Sequence, residues 1–380
     1  MHRFYMILFC SLITFSSVTA QLFQFIAMSD SRGSNNGVNE AVLSTIVNHI
    51  VENQKDVKFI VFAGDMVAGN RFDPNLTYMQ LQFWKKVMSP IYNNPNMVWP
   101  KVWLTVGNHE VQHRDDEDNF RKLFPDVFMN GPDDEKGLTY SFDYENSHFV
   151  FMTSDRWHYG DLADTTDDKP DRHYIKHLDW LENDLSNAKS RGIKQIFVIS
   201  HEPAFPIGGH LRDGLPNLGR NFSPPLDSTR KWYLDRRNKF WSLLNEYKVT
   251  AFINGHEHMY GRQSVDGVFQ ITTGSSGAPL YEFNPKYGDN PEQKRYGQEM
   301  TYIEAIPYYE TLNYYHGPNE NSQASRDFVG HKAFNYVLFK VFDDRVEATT
   351  YGSFPKEGSI TVMGTEIQII DRFVIQKRSE

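Results

Sequence analysis

Short clusters of Asp, Asn and His follow apolar segments at several places in the chain, and these residue types can bind metal ions. The clusters are Asp30-Ser31-Arg32, Gly64-Asp65, Gly107-Asn108-His109-Glu110, His201 and Gly255-His256-Glu257-His258. Their mixed nitrogen and oxygen donors suit Mn, Fe, Zn or Co better than Ca. Two such cations that share a carboxylate can activate water and stabilise an in-line displacement. Hydrolysis assisted by metal ions is therefore the chemistry that these residues indicate.

His256 and His258 form the most informative pair. Residues i and i+2 of an extended backbone point to the same side, so these two imidazoles can reach neighbouring metal ions. Gly255 allows a tight turn of the backbone just before them. Taken singly, other candidates could instead be turn, cap or loop residues: Asp30, Asp65, Asn108 and His201. Their common position after apolar segments favours one shared site.

The elements that must position these residues alternate in type along the chain. Strands are predicted at residues 22–28, 57–63, 101–106, 195–200 and 250–253, and helices at 38–51, 78–88, 175–188 and 231–247. Hairpins are predicted at 138–153 and 336–351. This order predicts an α/β fold, a four-layer α/β/β/α sandwich of two sheets with helices outside. The clusters then lie at the C-terminal ends of strands, where open α/β sheets bind their ligands.

The N-terminal residues 1–20 have the composition of a secretory signal peptide. A weakly basic start precedes an apolar run from Phe4 to Phe15, and small residues end at Ala20. The apolar run is about 12 residues long, shorter than the ~20 that span a bilayer. An uncleaved membrane anchor and a lipid anchor on Cys10 are the alternatives. We predict cleavage near Ala20 and export to the periplasm or the extracellular space, leaving residues 21–380 as a single domain.

The composition narrows the possible partners of the mature chain. The chain has 380 residues and a formal net charge of −9, which argues against wholesale binding to nucleic acid. Cys10 is the only cysteine, so the mature chain has no disulfide and must be held by its hydrophobic core and by metals. No second long apolar run follows, and no transmembrane segment is expected in the mature chain. No residue pattern indicates a particular oligomeric state.

The ordered set of motifs resembles the calcineurin-like metallophosphoesterases, a family that includes the purple acid phosphatases. The matching motifs run in order from Gly64-Asp65 through Gly107-Asn108-His109-Glu110 and His201 to Gly255-His256-Glu257-His258, in a frame from about Phe25 to Gly261. The resemblance implies that Asp65 bridges two metal ions. It assigns one ion to Asp30 and His258, and the second ion to Asn108, His201 and His256.

The same resemblance implies a mechanism and a substrate. His109 would bind a phosphoryl oxygen and help to protonate the leaving group. Water activated by one or two ions of Mn, Fe, Zn or Mg would attack the phosphorus of a small phosphate ester. The chain offers no cysteine nucleophile in its mature part and no G-x-S-x-G motif, so no covalent enzyme intermediate is expected.

The sequence departs from the family pattern at two positions. Many members have Asp-x-His in the first motif, whereas Arg32 stands in the place of that histidine. Purple acid phosphatases have a tyrosine where this chain has Ala68. The first metal site therefore either binds its ion with more water and lower affinity, or is empty while Arg32 supplies positive charge. The planar guanidinium suits phosphate oxygens, so we expect Arg32 to contact the substrate phosphate, with a structural ion pair as the alternative.

Several other residues and segments are weaker candidates for the pocket. Tyr260, His210 and Arg212 lie near motif loops and could line it. Residues 203–228 form either a lid or a surface excursion, and the tyrosine-rich residues 278–332 form either a wall of the cleft or a small packed cluster. Glu110 is expected either to support the metal ligands or to be a surface or capping residue. Five histidines are expected to be structural or exposed: His113, His148, His158, His173 and His177.

The sequence thus favours hydrolysis of phosphate esters, with monoesters preferred and diesters close behind. Arg32 and Ala68 motivate an alternative, an exported non-catalytic binding protein on a decayed phosphoesterase scaffold. A zinc peptidase or lactonase-type hydrolase is a third possibility, but the chain has no H-E-x-x-H motif.

Overall fold

The computed structural model describes residues 20–156, 175–205, 226–281 and 329–378. Within them the strands are β1 (Phe23–Met28), β2 (Arg32–Asn35), β3 (Val57–Ala63), β4 (Val102–Thr105), β5 (Tyr140–Tyr144), β6 (Ser147–Phe151), β7 (Gln195–Ile199), β8 (Ala251–Asn254), β9 (Tyr260–Val265), β10 (Val268–Thr273), β11 (Val329–His331), β12 (Phe334–Val341), β13 (Arg345–Ser353) and β14 (Gln368–Gln376). The helices are α1 (Glu40–Asn53), α2 (Pro74–Val87), α3 (Ser89–Tyr92), α4 (Asp116–Leu123), α5 (Leu178–Ser190) and α6 (Leu226–Glu246).

All of these strands except β2 form two large mixed sheets. One sheet has the order β14-β13-β12-β1-β3-β4, in which β1, β3 and β4 are parallel and β12 to β14 are antiparallel. The other has the order β11-β9-β10-β8-β7-β6-β5, with a parallel centre of β6, β7, β8 and β10. Each sheet therefore contains parallel neighbours whose C-terminal ends meet at one edge.

Strand β1 shows how the layers are built, because every one of its residues is buried. Phe25 points into the core between the sheets, where its ring stacks on Phe339 of the neighbouring strand β12 at 4.7 Å and meets the edge of Phe197, on the other sheet, at 4.9 Å. Alternate residues point to opposite faces of a strand, so Ile26 and Met28 pack instead in the core with α1 and α2. A strand that is buried on both faces needs an almost continuous run of apolar residues, and β1 has such a run.

The outer faces of the two sheets are covered by helices. The core beside the first sheet includes Leu43 and Ile46 of α1 and Trp84 of α2. The core beside the second sheet includes Leu181 of α5 and Phe240 of α6. An aromatic-rich core lies between the sheets. The four-layer α/β/β/α sandwich predicted from the sequence is therefore confirmed.

Helices α1 and α2 each begin directly after a residue whose side chain caps the first turn. The Asn39 side chain accepts a hydrogen bond from the backbone N–H of Val42, and α1 begins at Glu40 rather than at the predicted residue 38. Asp73 accepts a hydrogen bond from the N–H of Asn75, and α2 begins at Pro74, four residues before the prediction. Side-chain caps satisfy amides that the first turn leaves free, and proline is well suited to the first helical position.

Three predictions concern residues outside the described ranges. They are the signal peptide, of which the structure describes Ala20 alone, and most of the insertions at 203–228 and 278–332. Among the helices that the structure does describe, none is both long enough and apolar enough to span a membrane.

Candidate active site

The predicted metal ligands converge because parallel strands of both sheets end beside one another. Asp30 follows β1 and Asp65 follows β3, its parallel neighbour. The Asp30 N–H donates to the carbonyl of Gly64 at 3.0 Å, which ties the two strand ends together. In the other sheet the N–H of Gly255 donates to the carbonyl of His201 at 3.0 Å. The loops that carry the polar clusters are thus linked to one another by backbone hydrogen bonds.

One group of possible metal ligands consists of Asp65, His201 and His256, all of them buried. His201 Nε2 lies 3.4 Å from Asp65 Oδ1 and 3.1 Å from His256 Nδ1. The other ring nitrogen, His201 Nδ1, lies 2.8 Å from the carbonyl oxygen of Ala63. A carbonyl can only accept, so Nδ1 carries the proton and the Nε2 lone pair is directed to the group.

A second group consists of Asp30, Asp65 and His258, which are also buried. His258 Nε2 lies 3.6 Å from Asp30 Oδ1, and His258 Nδ1 lies 2.8 Å from the carbonyl oxygen of Pro279. That carbonyl fixes the tautomer of His258 in the same way as Ala63 fixes that of His201. Asp65 belongs to both groups, as a carboxylate shared between two cations would.

Two buried oxygens in this region have no hydrogen-bond partner: Asp30 Oδ1 and Asn108 Oδ1. A buried polar atom without a partner costs about 1–3 kcal/mol, so each such atom calls for an explanation. Both are hard oxygen donors of the kind that divalent cations bind. The donor set of this region therefore fits metal ions.

The backbone at three of these ligands is left-handed, with φ of 53° at Asp30, 53° at Asp65 and 67° at His256. Such conformations cost of order 1–3 kcal/mol for residues other than glycine and cluster at functional sites. At His256 the conformation brings its N–H within 3.0 Å of Asp30 Oδ2. A Cβ at Gly255 would lie 2.3 Å from that same oxygen, so only glycine fits there.

Burial and charge shift the ionisation of these groups. Burial, reinforced by the negative charge of Asp65, raises the pKa of Asp30 well above its ordinary value. Burial also opposes ionisation of Asp65, but the neighbouring imidazoles and Arg32 outweigh it and hold its pKa below the usual range. Burial lowers the pKa of His201 and favours its neutral form, which is the form that binds metals.

His109 lies at the partly exposed side of the cluster, with a fifth of its side chain accessible (20%). Its backbone N–H donates to Asp65 Oδ1 at 3.1 Å, and its Nδ1 lies 2.5 Å from the carbonyl oxygen of Ala68. Its Nε2 lies 3.8 Å from Asp65 Oδ2. The ring is therefore fixed with one nitrogen facing the shared carboxylate.

Arg32 also lies against the shared carboxylate. Its Nε is 3.7 Å from Asp65 Oδ2, and its Nη2 is 3.5 Å from the hydroxyl of Tyr281. Its side chain is 22% exposed, so the guanidinium borders the accessible side of the cluster. A structural ion pair was the alternative role expected of Arg32 from the sequence, and the contact with Asp65 is such a pair. It places the guanidinium beside the two groups of candidate ligands.

Comparison with known proteins identifies the family. The profile of the calcineurin-like phosphoesterases matches residues 24–260, which is more than half of the chain and includes every ligand described above. The chain belongs to the calcineurin-like phosphoesterase family. A search of curated proteins found no match.

Solved structures share the fold of this chain at low sequence identity. The purple acid phosphatase PPD1 of yellow lupin (Lupinus luteus) has a TM-score of 0.56 and 12% identity, over 93% of this chain and 53% of that one. PhoD has a TM-score of 0.56 and 12% identity, over 94% and 70%. GAP50, the anchor in the inner membrane complex of Plasmodium, has a TM-score of 0.51 and 14% identity, over 95% and 90%. The chain thus spans about half of the lupin enzyme.

Glu110 has a defined place in this site. It is buried, and its carboxylate accepts hydrogen bonds from the N–H groups of Asp65 at 2.8 Å, Gly107 at 2.9 Å and Val67 at 3.1 Å. It therefore joins the loop after β3 to the loop after β4. The sequence signal for Glu110 was its position in the Gly-Asn-His-Glu motif.

Two further residues of the site were not singled out from the sequence. Asp155 is buried close enough to His201 and His256 for their charges to act on its pKa, which burial raises. It follows the hairpin strand β6, and a strand-ending acid was the signal that could have identified it. Tyr281 stacks on His258 with ring centroids 4.1 Å apart. Only contacts between distant segments reveal Tyr281.

The pocket-lining role expected of Tyr260 finds no support in the structure. The residue is buried, and its ring belongs to the core between the sheets. Its hydroxyl donates to Asp371 Oδ2 at 2.6 Å, so it is already occupied. His210 and Arg212 lie outside the described residues.

Proposed function

We propose that this phosphoesterase hydrolyses phosphate monoesters with water activated by metal ions, and that diesters are its second substrate class. The observation that carries the proposal is the pair of buried ligand groups that share Asp65 beside the partly exposed His109. A shared carboxylate between two cation sites is the arrangement that clamps an in-line displacement.

The ligand assignment follows the two groups. Asp65, Asn108, His201 and His256 would hold one cation, and Asp30, Asp65 and His258 would hold the other. Ions of Mn, Fe, Zn or Mg at these positions would supply a water of lowered pKa and would stabilise charge that develops on the phosphoryl oxygens.

The chain's own residues bind and orient the substrate. In its protonated form His109 donates Nδ1–H to the carbonyl of Ala68 and presents Nε2–H beside Asp65, so that Nε2–H contacts a phosphoryl oxygen and delivers its proton to the leaving group. The guanidinium of Arg32 binds a non-bridging phosphate oxygen from the partly exposed side. A monoester carries more negative charge than a diester, so a fixed cation at this place favours the monoester.

A second candidate function is a non-catalytic binding protein on the same scaffold. The cation of Arg32 beside Asp65 favours it, because a guanidinium can replace the charge of a metal ion. The likeness to GAP50, whose name describes an anchor, is compatible with such a role. In this reading the groups around Asp65 would contribute to the fold without turnover.

The test is metal-dependent turnover of p-nitrophenyl phosphate and its bis ester. The purified chain is assayed after chelation and after addition of Mn, Fe, Zn or Mg, beside His109→Ala. His113→Ala is the matched control, because His113 contacts the exposed Asp115 instead of the cluster. Hydrolysis that needs metal and is lost only in His109→Ala supports the proposal. Bound metal with no hydrolysis of any phosphate ester favours the binding protein.

A further inference from the structure

The two oxygens of the Asp65 carboxylate have different surroundings. Oδ1 lies 3.4 Å from His201 Nε2 and accepts the N–H of His109 at 3.1 Å. Oδ2 lies 3.7 Å from the guanidinium Nε of Arg32. One oxygen therefore faces the candidate metal ligand His201, and the other faces the permanent cation of Arg32 together with His109, whose Nε2 lies 3.8 Å away.

The positive charge of Arg32 is held in place. A guanidinium stays protonated in proteins, so it cannot bind a metal ion or lose its charge to make room for one. Its Nε is buried with no hydrogen-bond partner, and its Nη2 lies 3.5 Å from the hydroxyl of Tyr281. Tyr281 in turn stacks on His258 at 4.1 Å. The guanidinium is thus fixed between Asp65 and the residue that covers His258.

The two ligand groups also differ in the donors that they can offer. Asp30 Oδ2 already accepts hydrogen bonds from Ser29 Oγ at 2.6 Å and from the N–H of His256 at 3.0 Å, so Oδ1 is the oxygen left for a cation. With His258 and Asp65 this makes three protein donors. The other group has Asp65, His201 and His256, and the family resemblance assigns to it a fourth donor, Asn108 Oδ1, which is buried without a hydrogen-bond partner.

We infer that the chain binds one metal ion tightly, at the group that includes His201, and that Arg32 makes the group of Asp30 and His258 a much weaker cation site. The guanidinium then supplies part of the positive charge that a second ion would otherwise bring. The inference rests on the metal-binding part of the proposed function and is independent of turnover.

The experiment titrates the chelated protein with Mn²⁺ and counts bound ions by native mass spectrometry. Electron paramagnetic resonance is recorded in parallel, because an isolated Mn²⁺ ion and an exchange-coupled pair give different spectra. Arg32→His replaces the fixed charge with a ligand, and Arg32→Met removes the charge without adding one. Arg372→His is the matched control, since Arg372 is exposed on the edge strand β14.

We expect the wild-type chain and Arg372→His to bind one ion, with a second ion binding roughly 10- to 100-fold more weakly. Arg32→His should bind two ions of similar affinity and give the spectrum of a coupled pair. Arg32→Met should strengthen the second binding event to a lesser extent. If the wild-type chain binds two ions of similar affinity, or if both Arg32 variants still bind one, the inference is wrong.

These outcomes separate the inference from the proposed function. A wild-type chain that binds two equal ions and hydrolyses phosphate esters contradicts the inference alone. One tightly bound ion without hydrolysis of any ester contradicts the proposed function alone. A chain that binds no Mn²⁺ contradicts the inference.

Discussion

The carboxylate of Glu110 accepts a hydrogen bond from the backbone N–H of Asp65 at 2.8 Å, so a buried side chain fixes the loop that carries Asp65. The same carboxylate accepts the N–H of Gly107, the residue before Asn108. Two loops that carry candidate metal ligands therefore depend on the acceptor oxygens of one side chain. An amide in its place would turn an NH₂ group toward backbone N–H donors.

We therefore expect Glu110→Gln to lower both stability and metal affinity. The free energy of unfolding in urea should fall by about 1–3 kcal/mol, the cost of unsatisfied buried donors. Affinity for Mn²⁺ should fall roughly 10- to 100-fold, as when a residue that orients metal ligands is removed. Glu52→Gln, on the exposed face of α1, is the control. Metal binding equal to that of the wild type would contradict this role of Glu110.

Arg32→Ala tests the proposed phosphate contact. Hydrogen bonds to a charged group contribute about 1.5–3 kcal/mol, so kcat/KM for p-nitrophenyl phosphate should fall roughly 10- to 100-fold. The fall should be smaller for the bis ester, which carries less negative charge. Steady-state kinetics beside Arg372→Ala provide the comparison. An unchanged kcat/KM for the monoester would show that Arg32 does not contact the substrate phosphate.

Two buried histidines should respond to substitution in opposite ways. His201→Ala removes a ligand, so metal content should be lost. His148 lies 2.5 Å from Asp143 and 2.8 Å from Asp184, away from the ligand groups, and is 1% exposed. His148→Ala should lower the free energy of unfolding by about 1–3 kcal/mol, because it removes two buried hydrogen bonds, while Asp143 keeps Arg191 and Asp184 keeps Ser141. Metal analysis and urea unfolding of both variants measure the contrast, and loss of metal in His148→Ala would contradict it.

Tyr260→Phe tests whether Tyr260 has a structural role instead of the pocket-lining role expected from the sequence. Its hydroxyl shares the Asp371 carboxylate with Arg262, whose Nε lies 2.8 Å from the same oxygen. We expect the variant to keep the wild-type KM and to lose about 0.5–1.5 kcal/mol of stability through the missing hydrogen bond. Tyr247→Phe, at a half-buried position on the outer side of the second sheet, is the control. A raised KM with unchanged stability would show that Tyr260 lines the substrate pocket after all.

Elements with a strong local signal were predicted closely. Residues 57–63 were predicted as a strand and form β3 with the same bounds, because the run is apolar and buried on both faces. Helix α4 was not predicted. Its sequence DEDNFRKL carries a single large buried apolar residue, Phe120, and its Asp116 and Glu117 are buried as well. Periodicity of apolar residues cannot identify a helix whose inner face is partly acidic.

The convergence of the candidate ligands was predictable because each of them follows an apolar strand in a fixed order. The partners of those ligands were not. Tyr281 contacts Arg32 across 249 positions of sequence, and Tyr260 contacts Asp371 across 111. The choice between a pocket and a buried hydrogen bond for Tyr260 depends on where β14 lies in the sheet. Local pattern does not contain that information.

Glu135 gives the chain a dependence of stability on pH that is separate from the ligand groups. It is buried, and its Oε2 accepts the hydroxyl of Thr139 at 2.6 Å. Around its other oxygen lie Arg156 at 3.8 Å and His177 at 3.6 Å. Asp134 and Lys176 lie beside this group. Burial raises the pKa of Glu135 to about 7, and the nearby cations offset only part of that effect.

The direction in which stability changes with pH follows from the pKa of Glu135 in the folded and in the unfolded chain. The ordinary pKa of a glutamate is near 4.5, so between about pH 4.5 and 7 the folded protein holds a proton that the unfolded chain has lost. The contribution of this group is therefore largest at low pH and is lost as the pH rises through about 7. Urea unfolding at about pH 5 and about pH 8 should show that the stability of the wild type relative to Glu135→Gln falls by at most about 3 kcal/mol. The exposed Glu357→Gln should leave the pH dependence unchanged. Parallel curves for the wild type and Glu135→Gln would show that Glu135 is ionised in the folded protein throughout this range.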